Sequence, residues 1–237
     1  MKRVAGATRS AILAAAADAF AALGFAGASV DDIARRSGFN KAMIYYHFAS
    51  KEALFVEVLR DVFRLMGART AEIVESQVPP AAKIDAFIDA LDQMAESHPF
   101  MPPIMVREIA EGARRLDPDT LRLMAVILKN LARILDQGAR SGAFRRADPT
   151  LTYFSLIAPV IFFRATAPIR QAFRRARILR LEPGQRAFVA HLKRTAAAAL
   201  APEAGAADAG PEGRDAGAQA PSHVPRRPRS TRPGDHA

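Results

Sequence analysis

The sequence predicts an all-α protein: a cluster of three short helices, then a long helix, then a C-terminal helical bundle. Two observations carry this. No sustained period-two alternation and no Asn-Gly or Asp-Gly hairpin turn occurs, while apolar residues recur at helical spacing between helix caps and Pro or Gly stops along most of the chain. With 237 residues, half of them apolar, there is material for one sizeable core or two modest ones.

The elements follow in order. Thr8 is placed to cap a first helix to Leu23, with Ile12, Leu13, Ala16, Phe20 and Leu23 on one face and Gly24 as its stop. The same stretch has the basic start, apolar run and small-residue end of a secretory signal, but Asp18 interrupts the run and the spacing is that of a helix. Ser29 caps a second helix to Arg36, with Asp32 completing an approximate capping box; Asn40 caps a third to Phe48; Ser50 starts a fourth that runs towards Ser76. Further amphipathic segments are expected over 80–97, 102–115, 118–140, 149–172 and 183–200, separated by Pro- and Gly-bearing breaks, with a kink at Pro159. LIAPVIFF (156–163), taken as the most apolar run, is far short of a transmembrane span, so no membrane is expected. Residues 201–237, rich in Ala, Gly, Pro and Arg, have little to bury and are expected to be a disordered tail.

The formal net charge of +10 favours an anionic partner. Its distribution does not single out the N-terminal segment: residues 1–50 carry six basic and three acidic side chains, the tail is balanced, and the remaining +7 lies in 51–200. Arg164, Arg170, Arg174, Arg175, Arg177, Arg180 and Arg186 form a basic run against one acid, Glu182. A solvated surface is the first expectation for that run; an anionic-lipid or acidic-ligand contact and a secondary nucleic-acid patch are the alternatives.

Enzyme classes find no constellation. The chain has no cysteine, no HExxH, GxSxG or phosphate-binding loop, and its five histidines lack metal-ligand spacing. No catalytic residue, metal site or cofactor is expected. The absence of cysteine suits a reducing compartment, and the expected location is cytoplasmic.

The third helix carries the chemistry. At 100° per residue Ile44 and Phe48 fall on one inward face, while Ala42 and Tyr46 point away. Such a helix fits a duplex major groove, where outward side chains meet base edges and flanking ones reach phosphates. The base-facing set is Ala42, Met43 and Tyr46; Lys41, Tyr45 and His47 flank it as backbone contacts. Val30, Ile33 and Ala34 support it from the second helix, Gly38 permits the turn, and Phe39 fills the gap. An ordinary corner between two packed helices would show the same periodicity, but the Tyr-Tyr-His face favours a nucleic-acid reader.

The run from Thr8 through SVDDIARRSGFNKAMIYYHFASKEALF resembles the N-terminal domain of TetR-type transcriptional regulators in its Ala-rich first helix with FAALGF, and in S-V-x-D-I-A, S-G, K, I-Y-x-H-F and S-K-E-A-L. The resemblance covers residues 8–60. It implies a homodimer that binds a palindromic double-stranded DNA operator, usually represses transcription, and is released by a small effector. Matching positions add Ser29 and Lys51 to Lys41, Tyr45 and His47 as DNA-backbone contacts. Ala42-Met43 replaces the frequent Gly-Thr after the lysine, and Tyr46 follows the first tyrosine, so the operator sequence does not carry over.

The resemblance also sets the expected domains: a DNA-binding domain over 1–50 with its helix-turn-helix motif at 29–48, an effector-binding and dimerisation domain over 51–200, and the tail. The fourth helix would join the two readers to the effector domain, and dimerisation would use 148–200. Phe63, Met66, Phe87, Met94, Met105, Met124 and Phe154 are the candidate effector-pocket residues, because Met and Phe shape adaptable apolar sites. They favour a hydrophobic or amphipathic effector. Beside them, His98 reads as a loop residue and Arg107 as a surface partner of Glu108 or Glu111. A non-specific architectural DNA-binding protein and a membrane-associating helical protein are the alternatives.

Overall fold

The computed structural model describes residues 2–179 and 184–202. The expected tail beyond residue 202 and Arg180–Pro183 of the basic run lie outside the described residues.

Among the described residues there are ten helices and no strand. Helix α1 (Lys2–Gly27) starts six residues before Thr8, so Thr8 lies inside the helix and does not cap it. Gly24, at φ 72° and ψ 173°, breaks the helical path where a stop was expected. That conformation is open to glycine at little cost and strained for other residues. The α1 segment Gly6–Gly27 is long and apolar enough to cross a membrane, with mean hydropathy 1.6, contrary to the expectation that no such segment exists. Its alanines raise the hydropathy, but Ile12, Ala16, Ala19 and Phe20 are fully buried against protein.

Helix α2 (Val30–Ser37) is closed by left-handed Gly38, and α3 (Lys41–His47) follows after Asn40. Asn40 Oδ1 accepts the Met43 amide at 2.8 Å, so the short α3 is held at its first turn by its own cap. Ile33, Ile44 and Phe48 go inward into the core; α4 (Lys51–Glu75) follows, its start capped by the Ser50 hydroxyl accepting from the Ala53 amide at 3.1 Å.

Helices α5 (Pro80–Ser97), α6 (Met101–Ala110) and α7 (Pro118–Arg140) build the body on α4. The apolar stripes of α4 and α7 meet most extensively, with buried polar contacts between them. There Asn130 donates to the Gly67 carbonyl at 3.2 Å and to Thr70 Oγ1 at 2.9 Å. The Lys83 ammonium is buried at the far end of α4, where it donates to the Val74 carbonyl at 2.6 Å and to Gln137 Oε1 at 2.8 Å. A cation at this helix end meets the negative pole of the dipole and satisfies a carbonyl the helix itself leaves free.

Two boundaries differ from the expected ones. α6 ends at Ala110 and not near 115, because Gly112 (φ 79°) and Ala113 (φ 55°) turn the chain into left-handed conformations. The segment expected over 149–172 is two helices, α8 (Pro149–Ala165) and α9 (Ala167–Arg175), bent by 43°. The helix α8 runs on through Pro159, and the break comes at Thr166, where Pro168 two residues later cannot donate to the preceding turn. Helix α10 (Gln185–Leu200) packs on α5, and Arg145 ties its end to the α7–α8 loop through its amide to the Leu200 carbonyl at 3.1 Å and its Nε to the Ala199 carbonyl at 2.7 Å.

Candidate nucleic-acid interface

The third helix presents the expected outward face. Ile44 and Phe48 are 2% and 5% exposed, whereas Tyr46 is 80% exposed, Tyr45 51% and Met43 39%. Ala42 and Lys41 are exposed beside them, and His47 is half-buried with its ring edge-on to Tyr46 at 5.2 Å. Two large tyrosine rings held in water by a helix whose opposite face is anchored leave apolar area and hydroxyls free for a ligand that water does not replace.

Three flanking residues are already engaged. Lys41 Nζ lies 2.8 Å from Asp31 Oδ1, on the first turn of α2. Ser29 Oγ accepts the Asp32 amide at 3.0 Å and donates to Asp32 Oδ2 at 2.7 Å. The Ser29 hydroxyl, together with Arg35, holds the Asp32 carboxyl below its usual range. Asp32 thus uses its side chain on the serine hydroxyl, in the manner of a shortened capping box. Lys51 is half-buried, with Nζ 4.4 Å from the centroid of Phe25 at the end of α1.

Phe25 belongs to an aromatic knot. It stacks near Phe20 at 5.9 Å and meets Phe55 edge-on at 5.3 Å, and Arg115 also lies over its ring at 4.4 Å. Arg115 in turn donates to Glu108 and Glu111, each at 2.6 Å. The partners expected for Arg107 therefore belong to Arg115. Arg107 reaches back to α1 and donates to the carbonyls of Phe20 at 3.1 Å and Ala21 at 2.6 Å. It thereby ties α6 to the last turn of α1 before the break at Gly24, as a basic side chain does near a helix C-terminus. Neither contact left a local sequence trace, since the partners are about 90 residues apart.

Of the candidate effector residues, Phe63, Met66, Phe87 and Met105 are buried in the core, and Met94 and Met124 pack against it partly exposed. Phe154 is 59% exposed on α8 and stands apart from that buried set. His98 closes α5, its ring nitrogen 3.2 Å from the Met94 carbonyl. On α8 only Leu156 and Val160 are buried; Leu151, Phe154, Ala158 and Phe162 leave an exposed stripe, and α10 shows Ala187, Ala190, Ala197 and Ala198 to solvent. Within the basic run Arg164 pairs with Asp92 at 2.7 Å and Arg170 stacks on Phe163 at 3.8 Å, while Arg174, Arg175 and Arg177 are exposed.

Comparison with known proteins matches residues 12–58 to the family described as bacterial regulatory proteins, tetR family. The chain is 28% identical over 166 residues to the HTH-type transcriptional regulator RutR of Escherichia coli strain K12, covering 70% of this chain and 78% of that one. It is 36% identical over 101 residues to the HTH-type transcriptional repressor KstR2 of Mycobacterium tuberculosis, covering 41% and 50%. Among solved structures, the transcriptional regulator FadR from Bacillus subtilis in complex with stearoyl-CoA shares the fold, with TM-score 0.64 at 16% identity over 81% of this chain and 98% of that one.

Proposed function

We infer that this chain, which belongs to the tetR family of bacterial regulatory proteins, is a sequence-specific DNA-binding repressor that a small effector releases from its operator. Its named relatives regulate transcription, and it is no enzyme. The observation that carries the reading is the outward face of α3, with Tyr46 80% exposed above a fully anchored Ile44. In this reading Ala42, Met43 and Tyr46 meet base edges, and Ser29, Lys41, Tyr45, His47 and Lys51 position the protein on phosphates and sugars.

The proposal extends to assembly. Two copies join through approximately residues 148–200, where the α8 stripe supplies apolar area and the alanines of α10 permit close approach. Residues 1–50 then act as the reader and 51–200 as the effector and dimer domain. The core containing Met66, Met94, Met105 and Met124 opens to a hydrophobic or amphipathic molecule by rotation of unbranched side chains. That a protein of this fold was solved with stearoyl-CoA supports a small-molecule effector. A repressor that reads the chromosome works in the cytoplasm.

Selection of genomic fragments by the purified full chain, followed by sequencing, tests the reading. A recurrent inverted repeat among the recovered fragments is the expected outcome. Indiscriminate recovery with a steep salt dependence would replace it with an architectural, non-specific binder.

A further inference from the structure

Glu108 is 2% exposed, and its two carboxylate oxygens are in different situations. Oε1 accepts from Arg115 at 2.6 Å; Oε2 is buried with no hydrogen-bond partner. A buried carboxylate oxygen without a donor is costly, and natural structures keep few of them. Arg115 is shared with Glu111, so one guanidinium serves two carboxylates. Its planar head also lies over the Phe25 ring. Arg115, Glu111, Ala110, Gly112 and Arg114 line a surface cleft of about 470 Å³, in which Arg115 and Glu111 stand between solvent and the buried Glu108. Met105 and Ile104, buried one turn earlier on the same side of α6, continue from Glu108 into the apolar core.

We propose that the Glu108–Glu111–Phe25 cluster is the effector-recognition site, that Arg115 occupies it in the unliganded protein, and that the effector is a planar organic cation on an apolar frame. The inference rests on the regulator reading and gives its effector a chemical class. Two carboxylates and an aromatic face form a receptor for a flat, delocalised cation such as an amidinium or a protonated heteroaromatic ring. A ligand entering by the cleft meets Arg115 first, takes its hydrogen bonds and supplies a donor for Oε2. Displaced from Phe25, Arg115 leaves the ring against which the Lys51 ammonium also rests. The occupancy of this site is thereby read at the start of α4, where the protein meets phosphate.

The test uses the full chain and three isosteric probes: benzamidine, neutral benzamide and anionic benzoate. Calorimetry is expected to show benzamidine binding at least about tenfold tighter than benzamide, a difference of about 1.4 kcal/mol, with benzoate weaker still. Glu108→Gln is expected to abolish the preference, and Arg115→Ala, which vacates the site, to tighten benzamidine about tenfold. Benzamidine is also expected to weaken operator binding by the unaltered protein. Equal or reversed preference on the unaltered protein overturns the proposal, whether or not the variants fold; so does a preference that survives Glu108→Gln. Benzamidine binding without loss of operator affinity overturns the effector assignment. Operator binding measured without any probe stands apart: its failure sinks the regulator reading, whatever the calorimetry gives.

Discussion

The Lys41 ammonium and the Asp31 carboxylate, 2.8 Å apart, join the first turn of α3 to the first turn of α2. Both are exposed, so the pair contributes little to stability, but it places a negative charge beside a residue assigned to a phosphate. Asp31 also sits at the positive end of the α2 dipole.

Asp31→Asn is therefore expected to act in opposite directions on folding and binding. Loss of the dipole partner lowers thermal stability by about 0.3–1 kcal/mol. Release of Lys41 tightens operator binding and steepens the slope of log K against log salt by up to about 1. Fluorescence anisotropy over a salt series measures both affinity and slope; an unchanged slope would remove Lys41 from the phosphate contacts.

The two tyrosines are expected to separate. Tyr45→Ala weakens binding to all operator variants alike, as loss of a backbone contact does. Tyr46→Ala changes the ranking among variants, by about 1–3 kcal/mol at the base pair it meets. Both side chains are exposed, so both variants retain the wild-type melting temperature within a degree or two. If ranking is insensitive to Tyr46, the third helix enters the groove with another face.

Much of this was legible from local chemistry. The ends of α4, α5 and α7 follow from Ser50, Pro79-Pro80 and Asp117-Pro118, each a terminator that acts within one helical turn. The face of α3 follows from the helical period of 100° per residue, which puts Ile44 and Phe48 on one side. The break between α8 and α9 was misplaced because a proline inside a helix and a proline opening one look alike in sequence; Pro159 is the former and Pro168 the latter. Arg107 and Arg115 could not be placed, because their partners at Phe20 and Phe25 come from a helix about 90 residues earlier. Nothing in the neighbouring residues turns Arg107 away from Glu108 and Glu111, which Arg115 takes instead.

Glu57 offers a test by pH. Burial raises its pKa, but hydrogen bonds from Arg64 at 3.0 Å and Arg9 at 2.6 Å outweigh burial and hold it below the usual 4.5. A carboxylate with a depressed folded-state pKa stabilises the protein above that usual value, and the stabilisation fades as pH falls through the folded-state value. Glu57→Gln should therefore cost about 1–2 kcal/mol at neutral pH, and the cost should shrink as pH falls below the usual carboxylate range. Melting curves of the two proteins across that range should converge on the acid side; a constant gap would assign the loss to packing.

Gly138 on α7 is where the ring of Phe144 comes down. A Cβ there would lie 1.9 Å from Phe144 Cδ2, so Gly138→Ala must push the ring and its loop away. Although alanine favours a helix interior by about 1 kcal/mol, overpacking is expected to win and to destabilise by about 1–3 kcal/mol. Gly138→Ala combined with Phe144→Leu should recover part of the loss in chemical denaturation.

Helix α4 has 25 residues and a grip at each end: Lys51 over Phe25 where it begins, and Lys83 on the Val74 carbonyl where it finishes. At 1.5 Å per residue it is about 37 Å long, and a rod of that length works as a lever. A tilt of about 5° about the Lys83 grip would carry the DNA-side tip about 3 Å sideways. Two such tips moving in opposite senses would change their separation by about 6 Å, against a half-site spacing of about 34 Å. In a dimer, a rotation of that size would be enough to take two copies of α3 out of step with the turns of a duplex.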